Sequence, residues 1–324
     1  MALLTGKTLQ FWTGTNHTTP SREIAVESVS SDVDFQEIDV TDSSSGYTGT
    51  NIMLGRAKRS LKVSGFYYGV DGAEVVSGSL TAGTKYRLTG GAFGISQYIG
   101  QIFTAAGTET ASGTNKCKPL GTIVNGKNMT VTIGGSAHPV TSFKYNEQYS
   151  EFDATNTTTA GNATEFVTGR AKRTGTIEVI MESSIADLIT ESDPANQAMV
   201  ITLSSGTAMT AVGILKKKAV SAKVSDMTKV VYDIVFQGEP STAFPNLTSL
   251  GVSQGFFVIL GFGATGTNQA YVGNGVAKGL SIDANVKGDV KISYDIDWSG
   301  AIVESEAGGT PPTTLTLAPD DVTP

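Results

Sequence analysis

The sequence is poor in the residues on which most catalytic and metal-binding sites depend. Its 324 residues include one cysteine, Cys117, and two histidines, His17 and His138. A single cysteine excludes an intrachain disulfide framework and a cysteine-based zinc site. Neither histidine has a cysteine or carboxylate at ligand spacing. The sequence therefore predicts no metal, no cofactor and no enzymatic activity.

Charged residues are also scarce, and the acidic ones are in excess. They make up 16% of the chain, and the net charge is −7. An acidic balance argues against nucleic-acid binding through phosphate contacts. No window approaches 18 consecutive apolar residues, so we expect no helix that spans a bilayer. The first residues lack a basic segment followed by an apolar one, and we expect no Sec-dependent export.

Alternating, β-branched segments bounded by turn residues predict an all-β fold. The clearest are 129–133, 176–181, 199–203, 229–236 and 290–298. In 229–236, alternation places Tyr232, Ile234 and Phe236 on one apolar face. Alternation in the last segment, 290–298, predicts a buried apolar face and an exposed polar face. The apolar face consists of Ile292, Tyr294, Ile296 and Trp298, and the polar face of Lys291, Ser293, Asp295 and Asp297. One short helix is predicted over 184–192.

Two internal repeats organise most of the chain. The motif Gly-Arg-Ala-Lys-Arg occurs at 55–59 and again 114 residues later, and nine of the 31 positions in 35–65 are identical in 149–179. A second pair relates 213–238 to 275–300 at an offset of 62 residues, with nine of 26 positions identical. Such self-similarity marks repeated structural units.

The unequal offsets predict two similar β-domains, one nested inside the other, because a tandem duplication would give one constant offset. We expect a continuous domain over 121–240 and a split domain over 1–70 and 246–304. A small β module inserted at the surface is expected over 71–120, and a mobile C-terminal tail over 305–324. A tandem arrangement with strands exchanged between the copies is the alternative.

Both copies resemble the tail tube (major tail) proteins of long-tailed bacteriophages. The resemblance rests on 35–66 and 149–181, each a strand ending in Asp-x-Thr, a polar loop, and Gly-Arg-Ala-Lys-Arg leading into a second strand. The predicted short helix and the final hairpin ending in Tyr-Asp-Ile-x-[Phe/Trp]-x-Gly complete it. The resemblance implies two β-sandwich or rolled-sheet tail-tube domains with a flanking helix.

The resemblance also implies a function, that of a virion structural protein whose stacked rings form a channel for the genome. Six domains usually make a ring, so two domains per chain imply a trimer with pseudo-sixfold symmetry. The implied partners are further copies of this chain, the tape-measure protein, and the tail-terminator and tip proteins. Genomic DNA would pass through without specific binding, and no membrane would be involved. Assembly would occur in the host cytoplasm, and the protein would end in the phage tail.

Three sets of residues are candidates for these contacts. The polar loops implied to bridge to the next ring contain Asp42, Ser43, Ser44, Ser45, Gly46, Tyr47 and Thr48, and then Thr155, Asn156, Thr157, Thr158, Thr159 and Asn162. The candidates for charged contacts between subunits are Arg56, Lys58, Arg59, Arg170, Lys172 and Arg173, with a nucleic-acid patch or plain solvated surface as alternatives. The candidates for the channel lining are Asp233, Lys291, Asp295 and Asp297, since a net-negative wall would repel phosphates and let DNA slide.

Other classes of protein share parts of this pattern. Another virion structural protein, or a surface adhesin with β-sandwich repeats, would have a similar Thr- and Gly-rich β composition. A secretion-system tube protein would share the fold but is usually a single small domain. A glycan-cleaving virion enzyme would need a pair of carboxylates in a cleft.

The two polar loops provide a first prediction. Deleting either 42–51 or 155–164 is expected to leave rings intact but to prevent their stacking, because these loops are implied to order only against the next ring. Electron microscopy of the purified variants would distinguish rings from tubes. Tubes of normal length from either deletion would contradict the assignment.

Overall fold

A computed structural model of the chain describes residues 9–14, 20–24, 26–39, 52–69, 71–91, 93, 100, 102–153, 166–181, 196–203, 208–222, 227–242, 250–251, 253–262 and 267–308. This part consists of strands and their connections, which confirms the all-β fold predicted from the sequence. The helix predicted over 184–192 lies outside the described residues.

The described residues form nineteen strands. In chain order they are β1 (Gln10–Gly14), β2 (Pro20–Ile24), β3 (Ser28–Asp39), β4 (Ile52–Phe66), β5 (Gly78–Ser79), β6 (Lys85–Gly90), β7 (Ile102–Thr104), β8 (Thr110–Ala111), β9 (Lys116–Pro119), β10 (Thr130–Ile133), β11 (Ser136–His138), β12 (Val140–Asp153), β13 (Phe166–Ile180), β14 (Asn196–Thr202), β15 (Ala208–Ser221), β16 (Lys229–Thr242), β17 (Ser253–Phe262), β18 (Thr267–Asn285) and β19 (Lys291–Gly308).

Fourteen of these strands form one antiparallel sheet, which divides into two sets of seven. The continuous set, β10 to β16, has the spatial order β11-β10-β14-β15-β16-β13-β12. The split set, β1 to β4 with β17 to β19, has the order β2-β1-β17-β18-β19-β4-β3. If the strands of each set are numbered from one to seven along the chain, both sets have the same spatial order, 2-1-5-6-7-4-3.

The pairing registers of the two sets also agree. Phe66 of β4 lies opposite Lys291 of β19 in the split set. Ile180 of β13, 114 residues after Phe66, lies opposite Lys229 of β16, 62 residues before Lys291. Because a slip of one residue would turn every side chain to the other face of the sheet, this agreement aligns the two sets residue by residue.

Irregularities in the strands fall at the same aligned positions. The register of β3 against β4 shifts between Phe35 and Glu37, and that of β12 against β13 shifts between Tyr149 and Glu151. Such bulges bend a strand and increase its local twist. The same bend therefore occurs in both sets.

Two aligned glycines show the same close packing in both sets. Gly213 lies opposite Phe236, and Gly275 lies opposite Trp298. A Cβ atom at either glycine would come within 2.8 Å or 2.9 Å, respectively, of its nearest neighbour. A larger residue would clash with the Ile234 side chain at Gly213 and with the Asp297 carbonyl oxygen at Gly275.

The alternation read from the sequence is confirmed on the apolar faces of β16 and β19. All of the residues predicted to face the core are buried, namely Tyr232, Ile234 and Phe236 in β16, and Ile292, Tyr294, Ile296 and Trp298 in β19. One apolar core runs beneath both sets of strands. Burial of this continuous layer is the main favourable contribution to the stability of the sheet.

The main sheet continues across the predicted boundary between 121–240 and 246–304, because β12 pairs with β18. Strand β19 extends to Gly308, four residues into the predicted tail, and the remainder of the tail lies outside the described residues. The domain boundaries themselves stay a prediction.

Residues 71–120 form a separate small unit, called here the module. Strand β5 pairs with β8, and β6 pairs with β7 and β9. The module has its own apolar cluster, which consists of Leu80, Tyr86, Leu88, Phe93, Phe103, Ala105, Ala111 and Cys117. Cys117 is buried there as a free thiol.

The chain leaves the main sheet for the module and returns to it at adjacent points. The backbone N–H of Gly69 donates to the carbonyl oxygen of Thr122 at 2.9 Å. Beyond this pair, the Asp71 carboxylate accepts a hydrogen bond from Arg87 Nε at 2.8 Å and another from the Gly121 N–H at 3.2 Å. The two connecting segments are therefore held together at the base of the module.

The module should be removable without loss of the main sheet. Replacing 71–120 by an Asn-Gly turn is expected to shift the melting temperature by less than about 4 °C, or about 1 kcal/mol, because the module has a separate core. Circular dichroism melting would measure this shift. An unfolded or aggregated product would show that the sheet depends on the module.

Candidate functional site

Strand β18 pairs with three strands and thereby joins the two sets. Along one edge it pairs with β19 over most of its length. Along the other edge it pairs with β17 and then, over 279–285, with β12 of the continuous set. We call the contact between β12 and β18 the junction. At the junction Lys144 lies opposite Asp283, and their side chains form an ion pair of 3.1 Å.

Four charged side chains form a cluster beside the junction. They come from four strands: Lys58 from β4, Glu151 from β12, Lys278 from β18 and Asp297 from β19. Lys278 Nζ lies 2.8 Å from Asp297 Oδ2 and 3.3 Å from Glu151 Oε1. Lys58 Nζ lies 3.1 Å from Asp297 Oδ2 and 3.2 Å from Glu151 Oε2. Each lysine thus bridges both carboxylates and connects the continuous set to the split set.

Asp297 lies in the interior, which corrects the expectation that it faces solvent with its strand neighbours. Its exposed fraction is 0%, whereas Lys291 and Asp295 on the same strand are exposed. Alternation places all three on the polar face of β19. Lys278 and Glu151 cover that face at Asp297, so the single chain offers no Asp297 surface to a channel.

The pKa values of the cluster follow from burial and from these contacts. Burial raises the pKa of Glu151, and the neighbouring Asp297 carboxylate raises it further. Burial also acts to raise the pKa of Asp297, but hydrogen bonding with Glu151 and Lys278 leaves it below its ordinary value. Burial acts to lower the pKa of Lys58, and the two carboxylates together raise it above its ordinary value. Asp297 is therefore ionised and Lys58 protonated at neutral pH.

Two neighbouring carboxylates with separated pKa values are also the arrangement of a general acid and base. Here the lysines already contact both carboxylates, and Asp297 has no surface that a substrate could reach. The geometry therefore favours an ion-pair network that fixes the junction over a reactive pair.

A second polar network stabilises the continuous set alone. The buried Glu147 carboxylate accepts hydrogen bonds from Arg173 Nε at 3.0 Å and from the Tyr145 hydroxyl at 2.7 Å. Arg173 also donates to the Gly238 carbonyl at 3.2 Å. Burial raises the pKa of Tyr145 far above its ordinary value, so its hydroxyl remains a donor. Three strands, β12, β13 and β16, are tied together in this way.

Strand β3 presents an open edge at the end of the split set. It pairs with β4 on one side, and no other described strand pairs with it. All of its residues from 30 to 39 are exposed, including Val33 at 49% and Phe35 at 44%. The strand has no basic residue and four acidic ones, Asp32, Asp34, Glu37 and Asp39. An unpaired strand edge is a template for a further strand.

The second half of β15 presents another open edge. On the side of β14 its last paired residue is Ile214, and no described strand continues along that side. Here β15 carries three consecutive lysines, Lys216, Lys217 and Lys218, of which the first two are exposed. Val220 is also exposed, at 56%. This edge is therefore basic where the edge of β3 is acidic.

The remaining predicted residues fall into three groups. The loop residues 42–48 and 155–162 lie outside the described part of the chain. Among the six basic residues predicted at subunit interfaces, Lys58 and Arg173 make the ion pairs above within one chain, Arg59 is half-buried, and the others, Arg56, Arg170 and Lys172, are exposed. Of the lining candidates, Lys291 pairs with Glu27 at 3.0 Å, Asp295 is exposed and Asp233 is half-buried. Their roles in an assembly stay predictions.

The roles of Glu151, Lys278 and Glu147 were not predicted from the sequence. The repeats held a signal for the first two, since Glu151 is identical to Glu37 at an offset of 114 and Lys278 to Lys216 at an offset of 62. Glu147 aligns with Val33, and no repeat signal marks it.

Among the described residues, no group of three or more His, Cys, Asp or Glu side chains is placed to hold a metal ion. The same residues contain no helix long and apolar enough to span a membrane.

No family model matches the sequence, and no curated protein matches it significantly.

The charge cluster should be essential to the junction. Asp297→Asn is expected to lower the free energy of unfolding by about 2–3 kcal/mol, because it leaves two lysines with a single carboxylate, Glu151. The matched control is Asp295→Asn, an exposed carboxylate two residues away, expected to stay within about 0.5 kcal/mol of the parent. Denaturant titration measures both. Equal effects of the two variants would contradict the assigned role of the cluster.

Proposed function

We propose that this chain is a virion structural protein that self-assembles into stacked rings and forms the tail tube of a phage, the conduit for DNA ejection. The observation that carries the proposal is the pair of seven-stranded sets with the same order and register, joined edge to edge in one sheet. A ring is built by repeating one such head-to-tail contact until it closes. The resemblance at 35–66 and 149–181 supports a tail tube as the assembly.

The two sets support a ring of three chains. Each set is proposed to be one tube domain, so three chains supply six domains around the channel. Around the ring, the junction inside each chain would then alternate with a contact of the same kind between neighbouring chains. Three identical chains, each with two similar domains, give the ring pseudo-sixfold symmetry.

The face of β16 and β19 that carries Asp233 and Asp295 is proposed to line the channel. Asp233 and Asp295 occupy aligned positions on this face, 62 residues apart, and Lys291 is paired with Glu27. A lining with excess negative charge repels DNA phosphates, and the genome can slide past it without specific contacts.

The proposed partners follow from the same assembly. Copies of this chain would contact one another around and along the tube, the tape-measure protein would occupy its channel during assembly, and terminator and tip proteins would close its ends. Assembly would take place in the host cytoplasm, and the finished protein would reside in the virion.

The module supports a second candidate function. A separate core on an inserted surface unit is also compatible with an adhesin or another virion structural protein with β-sandwich repeats. Such a protein would expose binding loops and would not need to form a closed tube.

Electron microscopy of the purified full chain, with native mass determination of its smallest assembly, tests the proposal. We expect hollow rings or tubes that contain three chains and six similar densities per ring. Six chains per ring would keep the tube function but contradict the pseudo-sixfold arrangement. A persistent monomer at high protein concentration would contradict self-assembly and favour the adhesin.

A further inference from the structure

The junction provides a template for a contact between chains. Strand β12 aligns with β3 at an offset of 114 residues, and β18 aligns with β15 at an offset of 62. Transferring the junction register by these offsets places Ser30 opposite Ser221 and Asp34 opposite Lys217. Both segments have the open edges described above. The partners that β12 and β18 find in each other are thus missing, among the described residues, for β3 and β15.

We propose that β3 of one chain pairs antiparallel with residues 217–222 of a second copy of this chain, in the register of the junction. This pairing presupposes the ring assembly proposed above and names the surfaces that close it. The contact is heterologous, since an edge of the split set meets a different edge of the continuous set. Repetition of such a contact produces a closed ring when the rotation between subunits allows it.

Charge complementarity favours this partner. In the proposed register Asp34 lies directly opposite Lys217, and Asp32 lies diagonally from the same lysine. Opposite charges at such positions stabilise a strand pair. The junction has its own cross-strand ion pair, Lys144 with Asp283, at a position where the proposed contact has two serines. The junction and the proposed contact therefore have their cross-strand charge pairs at different positions.

The charge cluster beside the junction has a partial copy at the same place in the proposed contact. Glu151 aligns with Glu37 of β3, Lys278 with Lys216, and Lys58 with Lys172. Transferred to two chains, Glu37 of one chain lies between Lys216 and Lys172 of the other. The fourth member differs, since Asp297 aligns with Val235. The two attractive lysine–glutamate pairs that Glu151 makes within a chain thus have counterparts between chains, at Glu37 with Lys216 and with Lys172.

Exposed apolar side chains on the two edges would be covered by the same pairing. In β12, Phe143 and Tyr145 face the core. The residues at the aligned positions of β3 lie on the same face of that strand as the exposed Val33 and Phe35. Val220 of β15 aligns with Ile282, which is buried at the junction. Apolar surface on an open strand edge is a hazard unless a partner covers it.

The same charges oppose the main competing contact, which is pairing of β3 with β3. Two antiparallel β3 strands would bring the aspartates and glutamates of one edge against those of the other. Like charges opposite each other destabilise a strand pair. The acidic edge therefore selects the basic edge of β15 over a copy of itself.

Disulfide cross-linking of the full chain tests the register. The double variant Ser30→Cys with Ser221→Cys places two cysteines directly opposite each other across the proposed contact. Under mild oxidation we expect a covalent ladder that ends at the size of the ring, because directly opposed residues lie within disulfide reach. The matched control, Ser30→Cys with Val220→Cys, places the second cysteine on the other face of the sheet and should remain monomeric on a non-reducing gel. Each single variant controls for Cys117.

The outcomes separate the pairing from the tube function. Rings seen by electron microscopy without a ladder, or with an equal ladder from the control pair, would overturn the pairing and leave the tube function standing. Absence of rings from the parent chain, together with absence of a ladder from the double cysteine variant, would overturn both.

A charge exchange provides an independent test. Asp34→Lys or Lys217→Asp alone is expected to raise the concentration needed for ring assembly about tenfold, since each places like charges opposite one another. Combining the two should restore assembly, measured by sedimentation velocity. Lys287→Asp, in the exposed turn after β18, makes the same change of charge away from the contact and should have no effect. Failure of the double variant to recover assembly would contradict the proposed register.

Discussion

A strand has two hydrogen-bonding edges, and the arrangement of the main sheet depends on how β18 divides one of them between two neighbours. Its first half pairs with β17 of its own set, and its second half pairs with β12 of the other set. Because backbone groups in a buried strand need partners, this division holds the two sets in one sheet. The corresponding second half of β15 has no such partner among the described residues. The strand pairing that the junction provides for β12 and β18 is therefore left open, among the described residues, for β3 and for the second half of β15.

The charge cluster makes the junction specific as well as stable. A buried carboxylate such as Asp297 costs free energy unless cations lie close to it, and only one alignment of β12 on β18 brings Glu151 between Lys58 and Lys278. A slipped register would separate these charges. Apolar contacts across the core do not distinguish alignments that differ by an even number of residues, since these keep the same face of the strand buried. Hydrophobic burial thus stabilises the sheet, and the cluster selects one register of its two sets.

The alternation of residues along each segment predicted the strands well, because it can be read from the sequence without knowing which strands pair. The apolar faces of β16 and β19 could be read directly from the sequence, because large apolar residues such as Tyr232 and Tyr294 occupy every second position along each strand. The same alternation misplaced Asp297, because it tells which face a side chain occupies but not what covers that face. Lys278 and Glu151, which cover it, lie far away along the chain. The repeats signalled that Glu37 and Glu151 are equivalent, but only the pairing of β12 with β18 shows what Glu151 contacts.

Nesting of one set within the other has a consequence for the order of folding during synthesis. Every strand pair of the continuous set joins segments within 130–242, whereas the split set must bring Leu61 against Ile296. Closing so long a loop is entropically costly and slow, so we expect the continuous set to form first. The N-terminal strands leave the ribosome earliest and wait longest for their partners. The aspartates of β3 then have a second benefit, since charge keeps an unfinished edge from aggregating while the last strands are made.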